Sequence, residues 1–251
     1  SPWLATIRIP VNFKLFYENI KQNEEISKFG INTSFYYINS EKFRLNGQLK
    51  TEFINSDDIE SAEERSLSLS FSRFNVNNFL EPKFGYYFSL LPSIYGTLLG
   101  GNYHYLKIES ELKYYYTIFE NITFASRFKY GAINNFEKSS DIPSFDKFHL
   151  GGQSTLRGWS SPEELEGEDL DGGVERLLIN LEVRTHLISV FGAEFFYDWG
   201  TLSDQDSKVD TNWDVGYGLI IHTGLGPIRV DSAFKNAKGK PTILFSLLYM
   251  F

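Results

Sequence analysis

From near its first residue to its last, this chain alternates apolar and polar side chains with a period of two. Ala5, Ile7, Ile9, Val11, Phe13, Leu15 and Tyr17 alternate with Thr6, Arg8, Pro10, Asn12 and Lys14. Leu67, Leu69 and Phe71 alternate with Ser66, Ser68, Ser70 and Ser72, and Leu177, Ile179, Leu181 and Val183 with Arg176, Asn180, Glu182 and Arg184. A helix would group apolar residues three and four apart, whereas a strand sends successive side chains to opposite faces. The pattern predicts about twelve strands, near 4–18, 27–38, 41–53, 64–75, 82–92, 103–118, 121–132, 176–187, 190–200, 212–223, 226–234 and 242–251. Many are longer than the five or six residues usual in soluble sheets and suit a tilted crossing of a bilayer. No run of eighteen apolar residues occurs, so a membrane-spanning helix is excluded, while averaging along an alternating strand hides its lipid-facing half.

Loop lengths alternate too. Asn39-Ser40, Glu120, Ile188-Ser189 and Gly224-Leu225 are short turns; longer polar connections follow the odd-numbered strands, the longest about 133–175. The segment from Asn75 to Glu81 is long for the short class. Short turns on one rim and long loops on the other is the plan of an outer-membrane barrel, and an even strand number puts both termini on the short-turn, periplasmic side. The expected fold is therefore all-β: a transmembrane antiparallel β-barrel of about twelve strands, a single domain over 1–251, with the long loop between strands seven and eight. In lipid every backbone group must pair within the sheet, so the sheet is expected to close on itself. The alternative is a soluble barrel or sandwich with its apolar face inward. Twelve long strands would overfill such an interior, since about eight already close around a packed core.

The composition narrows the function. With no cysteine, disulfide scaffolds, thiolate metal sites and thiol nucleophiles are excluded. A net charge of −8 without a basic stripe argues against nucleic acid. There is no Gly-x-Ser-x-Gly elbow and no phosphate-cradling glycine loop, and His104, His149, His186 and His222 lack metal-ligand spacing. Lys107, Glu109, Glu111 and Lys113 share one face and read as a solvated mixed-charge wall rather than a catalytic carboxylate pair. We expect no enzyme, no cofactor and no metal. Ser1 is not an initiator residue, which implies a removed targeting segment or a trimmed chain.

The long loop contains Leu150-Gly151-Gly152-Gln153-Ser154-Thr155-Leu156-Arg157-Gly158-Trp159. Its length is too great for an idle turn, Gly151 and Gly152 suit a folded-back hairpin, and Arg157 is the cation near its tip. By alternation Glu182 and Asp198 point to the polar face, where an inward-reaching Arg157 could bond both; a solvated Arg157 beside carboxylates that merely line a wet pore is the alternative. Downstream come Asp171-Gly172-Gly173, a strand with Asn180, Glu182 and Arg184, then Phe196-Tyr197-Asp198-Trp199-Gly200, Gly216-Tyr217-Gly218, and Gly226-Pro227-Ile228-Arg229-Val230-Asp231. In order and spacing these motifs resemble the bacterial surface antigen, or outer-membrane insertase, barrel superfamily that takes in BamA, TamA and FhaC-like proteins. The resemblance covers about residues 82–251 by motif and 1–81 by pattern.

The resemblance implies that Arg157, with Gly158 and Trp159, docks on the barrel wall at Glu182 and Asp198. It further implies a role in inserting or translocating proteins at the bacterial outer membrane, with lipid, client proteins and a separate periplasmic partner as its contacts. The alternatives are a passive pore, a membrane anchor for a partner, or the barrel of a longer protein. Relatives carry more strands ahead of the long loop, and POTRA modules; a short member without POTRA is the expectation, with a fragment or a barrel shared between protomers as the alternatives. The ending Phe245, Leu247, Tyr249, Phe251 resembles the C-terminal aromatic strand of outer-membrane proteins, although Ser246 stands where such strands often have glycine. Pro10, which has no N–H to donate, is expected to weaken a seam between the first strand and the last, where Phe251 ends; an ordinary closed seam with Pro10 at a bulge is the alternative.

Overall fold

The computed structural model describes residues 10–21, 25–40, 42–55, 61–119, 121–136, 142–166, 172–204, 208–248, 250 and 251. Twelve strands follow one another: β1 Val11–Lys21, β2 Glu25–Ser40, β3 Phe43–Asn55, β4 Ala62–Val76, β5 Gly85–Tyr95, β6 Tyr105–Phe119, β7 Ile122–Asn135, β8 Glu175–Ile188, β9 Phe191–Ser203, β10 Val209–Thr223, β11 Gly226–Lys235 and β12 Thr242–Leu247. They form a single sheet in sequence order. Among the described residues the one α-helix, α1, is the short turn Pro162–Glu166 within the long connection between β7 and β8. Among the described residues no helix is long and apolar enough to cross a membrane.

The alternation separates two environments. On one face Phe13, Leu15, Tyr17, Phe195, Leu219 and Phe245 are exposed. On the other, Glu52, Glu64, Asn180, Glu182, Glu194, Asp198, Asp214 and Asp231 are buried. This inverts a soluble protein, whose charged residues are almost never fully buried unless paired, and suits a sheet with hydrocarbon outside and polar groups within.

The chain divides into two compact units. The first comprises Ser1–Arg73, Ser89–Ser110 and Ala132–Lys147. Its centre is Ile26, Ile54 and Ala62, with Tyr103 and Phe145 packed against them. The second comprises Phe74–Phe88, Glu111–Gly131 and Phe148–Phe251. Among its described residues Leu150, Leu156, Trp159 and Leu178 form one buried cluster, and Tyr115, Ala125 and Phe251 another.

Two expectations need correction, and part of a third lies outside the described residues. The described first strand begins at Val11, with Pro10 as a bridge before it; positions 4–9 lie outside the described residues, as do Glu120, Asp171 and Tyr249. The last strand ends at Leu247 rather than at 251, because Leu248 takes a φ of 72° and its N–H bonds to the Pro227 carbonyl at 2.7 Å. That backbone region is rare for a side-chain-bearing residue and ends the extended run. Finally, the sheet is not closed: among the described residues the order starts at β1 and stops at the six-residue β12, with no ladder between them.

Candidate functional site: the buried arginine of the long loop

The loop between β7 and β8 folds back on itself at two glycines. Gly151 and Gly152 have φ of 104° and 91°. A Cβ at Gly151 would lie 2.6 Å from the Ser161 carbonyl oxygen, so the hairpin needs glycine there on both counts. The Gly152 N–H donates to the Trp159 carbonyl at 2.9 Å, and the Thr155 hydroxyl to the Gly151 carbonyl at 2.9 Å. Leu150, Leu156 and Trp159 pack on Leu178 of β8 and leave Arg157 directed at the polar face.

Register builds the receiving surface. Asn180 of β8, Asp198 of β9, Asp214 of β10 and Lys235 of β11 stand in one row across the sheet. One step along, Glu182, Phe196, Gly216 and Ala233 form the next, and Arg184, Glu194, Gly218 and Asp231 the third. Arg157 Nε and Nη2 donate to the two Asp198 oxygens at 2.7 and 2.9 Å, a bidentate pair, while Nη1 donates to Glu182 Oε1 at 2.7 Å and lies 3.5 Å from Glu194 Oε1. The guanidinium sits 3.5 Å from the centre of the Phe196 ring. That ring lies across Gly216, where any Cβ would collide with it. Gly158 is equally confined: a Cβ there would lie 2.8 Å from Asp214 Cβ, and its carbonyl accepts the Thr242 hydroxyl at 2.6 Å.

Three further arginines line the same surface. Arg127 of β7 donates to Asn180 Oδ1 and to the Ser154 carbonyl, while Asn180 in turn donates to Asp198 at 2.7 Å and to the Thr155 carbonyl at 2.9 Å. Arg184 pairs with Glu182 at 2.6 Å, and Arg229 with Glu194 at 3.0 Å and Asp231 at 2.5 Å. Burial alone would lower the Arg157 pKa, but Asp198 and Glu182 beside it hold it well above its usual value, so the guanidinium is charged. Charges this deeply buried persist only when paired and fully bonded, and removing one partner from such a pair costs about 3–5 kcal/mol.

The structure thus brings Arg157, Gly158, Glu182 and Asp198 together, with Trp159 in the supporting cluster and Gly151 and Gly152 at the hairpin. The Pro10 carbonyl accepts the Tyr36 N–H of β2 at 3.1 Å, in a hydrogen-bonded pair whose return bond proline has no N–H to make. Phe251 is buried with Tyr115 and Ala125, and its carbonyl accepts from Arg184 at 3.0 Å. His186 and His222, scattered in sequence, are stacked with ring centres 4.6 Å apart. Sequence reasoning missed Arg127, Phe196, Glu194, Asp214 and Arg229 as parts of the site. All but Arg127 lie in or beside quoted motifs, and the signal was their shared face parity with Asp198 and Glu182.

Residues 2–247 match the model of the Omp85 superfamily domain. The chain belongs to the Omp85 superfamily. A curated relative, the outer membrane protein assembly factor BamA of Nitratidesulfovibrio vulgaris (strain Hildenborough), is 26% identical over 186 residues, 68% of this chain. The chain spans only 23% of that relative's length. Among solved structures, BamA from Haemophilus ducreyi lacking POTRA domains 1–3 superposes with a TM-score of 0.81 at 14% identity, covering 98% of this chain and 59% of that one. CdiB from Escherichia coli superposes with a TM-score of 0.61 at 14% identity, covering 95% and 48%. These similarities establish an outer-membrane β-barrel fold.

In this Omp85 chain the loop has one more tether, on the exposed side of the network. Glu164 of α1 pairs with Lys235 of β11 and accepts the Ser160 N–H at 2.7 Å. The Lys235 contact, then the Ser160 N–H, lowers the Glu164 carboxyl to about 2. Among the described residues no group of histidines and carboxylates is arranged to hold a metal ion. What the Omp85 site can do chemically is hold a loop, by charge, against the wall of a sheet.

Proposed function

We propose that this protein assists the insertion of proteins into the outer membrane or their translocation across it, with the long loop locked inside the barrel by Arg157 on Asp198 and Glu182. The observation that carries the reading is the complete burial of Arg157 among these carboxylates, in a chain of the Omp85 superfamily. So deep a charge network is costly to assemble, and a passive wall has no need to draw a loop into it. In this reading both termini and the short turns face the periplasm, the long loops face outward, and the exposed aromatic face meets lipid. A separate periplasmic protein hands clients to the barrel, and the seam between the first and last strands gives way to them, helped by the early end of β12.

The test is reconstitution of the protein in vesicles with an unfolded outer-membrane client, comparing native protein with Arg157→Ala. Accelerated client folding that the substitution slows at least tenfold supports the role. Equal client folding with both proteins and with empty vesicles overturns it. Tethering β1 to β12 with an engineered disulfide asks about the junction: full activity in the oxidised form removes it from the mechanism. Planar-bilayer conductance addresses the rival class, because a steady, wide, ungated current is the mark of a passive pore.

A further inference from the structure

The connection between β4 and β5, long for a rim of short turns, is shaped by two asparagines. Asn77 Oδ1 accepts the Lys83 and Phe84 N–H groups at 3.0 Å each, and Asn78 Oδ1 accepts the Leu80 N–H at 2.8 Å. Side-chain acceptors of this kind stand in for backbone turns and fix the course of a loop. Here they place Phe79 and Leu80 on the wall of a cavity of about 340 Å³, with much of both side chains exposed. Tyr87 of β5, Tyr115 of β6 and Met250, beyond the end of β12, line it as well. All of these residues belong to the second unit, and the wall includes neither Arg157 nor its carboxylates.

One charged side chain lines the cavity, Lys113 of β6. Its ammonium stands 5.2 Å over the Tyr87 ring and 3.5 Å from Glu111 Oε2. Glu111 Oε1 is in turn 3.6 Å from Lys129 of β7. Two ammonium groups thus divide one carboxylate, which leaves this corner of the wall with positive charge in excess. Glu81, the acid of the β4–β5 connection, is matched with Lys83 at 3.4 Å and His222 at 3.5 Å. Ligand pockets are mostly apolar, from about 300 Å³ upward, with a few polar groups that set orientation. A wall that is aliphatic and aromatic except for one incompletely matched ammonium fits a molecule divided in the same way, an alkyl chain ending in an anion. A phospholipid with two chains is too large for it, and a neutral chain leaves the ammonium unanswered.

We propose that this cavity binds a free long-chain fatty acid, with its carboxylate on Lys113 and its chain between Leu80, Tyr87, Tyr115 and Met250. The site does not depend on the Arg157 lock or on the handling of client proteins.

Met250 is the single methionine of the chain, so a carbon-13 label on the methionine methyl gives one resonance, placed on the cavity wall. The full protein in nanodiscs of zwitterionic lipid is titrated with dodecanoate at about pH 8, where carboxylate and ammonium are both charged. Dodecyltrimethylammonium, the same chain with a cation, and dodecanol, the same chain with no charge, are the controls. The expected result is a saturable shift of the Met250 signal with dodecanoate and none with either control. Lys113→Gln should weaken dodecanoate binding about tenfold, the loss of one charge-assisted contact. Leu80→Glu, in the connection rather than in a strand, sets a like charge beside the ligand and should weaken binding to a similar degree. Heat-modified gel mobility shows that each variant is folded. The proposal is overturned if the Met250 signal ignores dodecanoate, if either control produces the same saturable shift, or if a folded variant binds dodecanoate as tightly as the native protein.

Discussion

At the scale of the residue, Arg157 decides most. Its guanidinium meets Asp198 in two parallel bonds and Glu182 in a third. Arg157→Ala should destabilise the loop by about 3–5 kcal/mol, because it strands buried carboxylates. Limited proteolysis should then cut within the loop at protease levels that leave native protein whole. Arg157→Lys should not rescue it, since an ammonium lacks the planar fork. Phe196→Leu removes the ring beneath the guanidinium and should cost about 1–2 kcal/mol in the same assay. The legible part of this site was the arginine with its two carboxylates, marked by a glycine hairpin and by face parity. Arg127 was not legible, because its strand has no motif around it and its partner is the neutral Asn180.

At the scale of the element, β10 does its work by what it lacks. Gly216 and Gly218 leave room for the Phe196 ring and for the Asp231 and Glu194 side chains of its neighbours. Gly216→Ala should push the ring out of its place under Arg157 and cost about 1–3 kcal/mol, the usual penalty for overpacking. Its signature should be loop cleavage as in Arg157→Ala while heat-modified gel mobility still shows a folded sheet. The short α1 behaves differently. With the Glu164 carboxyl lowered to about 2 by Lys235 and the Ser160 N–H, its tether is complete above the ordinary carboxyl range. It is lost as pH falls through about 2. Glu164 is largely exposed, so the effect is small, visible as faster exchange of the Ser160 amide in strong acid and absent in Glu164→Gln. Strand number and most boundaries were readable because a period of two is unambiguous over ten or more residues. The end of β12 was not, because a leucine with positive φ leaves no trace in the sequence.

For the molecule as a whole, the inside-out distribution of polarity governs handling. Leu15, exposed on the apolar face of β1, should not tolerate a cation: Leu15→Arg is expected to lower folding stability in vesicles by about 2–4 kcal/mol if it lies at mid-membrane depth, less nearer an interface. Urea titration followed by tryptophan fluorescence would measure it. The two units into which the chain divides cut across β4–β7 rather than between consecutive strands. Alternating residues cannot announce such a boundary, because it depends on which loops fold onto which rows. Likeness in motif was strongest from β5 onward, and the family match extends back to residue 2.

Arg157, Glu182 and Asp198 are sealed from solvent, whereas Glu164 and Lys235 are not. Dissolved ions screen only the charges they can approach. Molar sodium chloride during purification should therefore detach α1 from Lys235 and leave the arginine seated, so a high-salt wash strips the outer fastening of the loop while sparing the inner one.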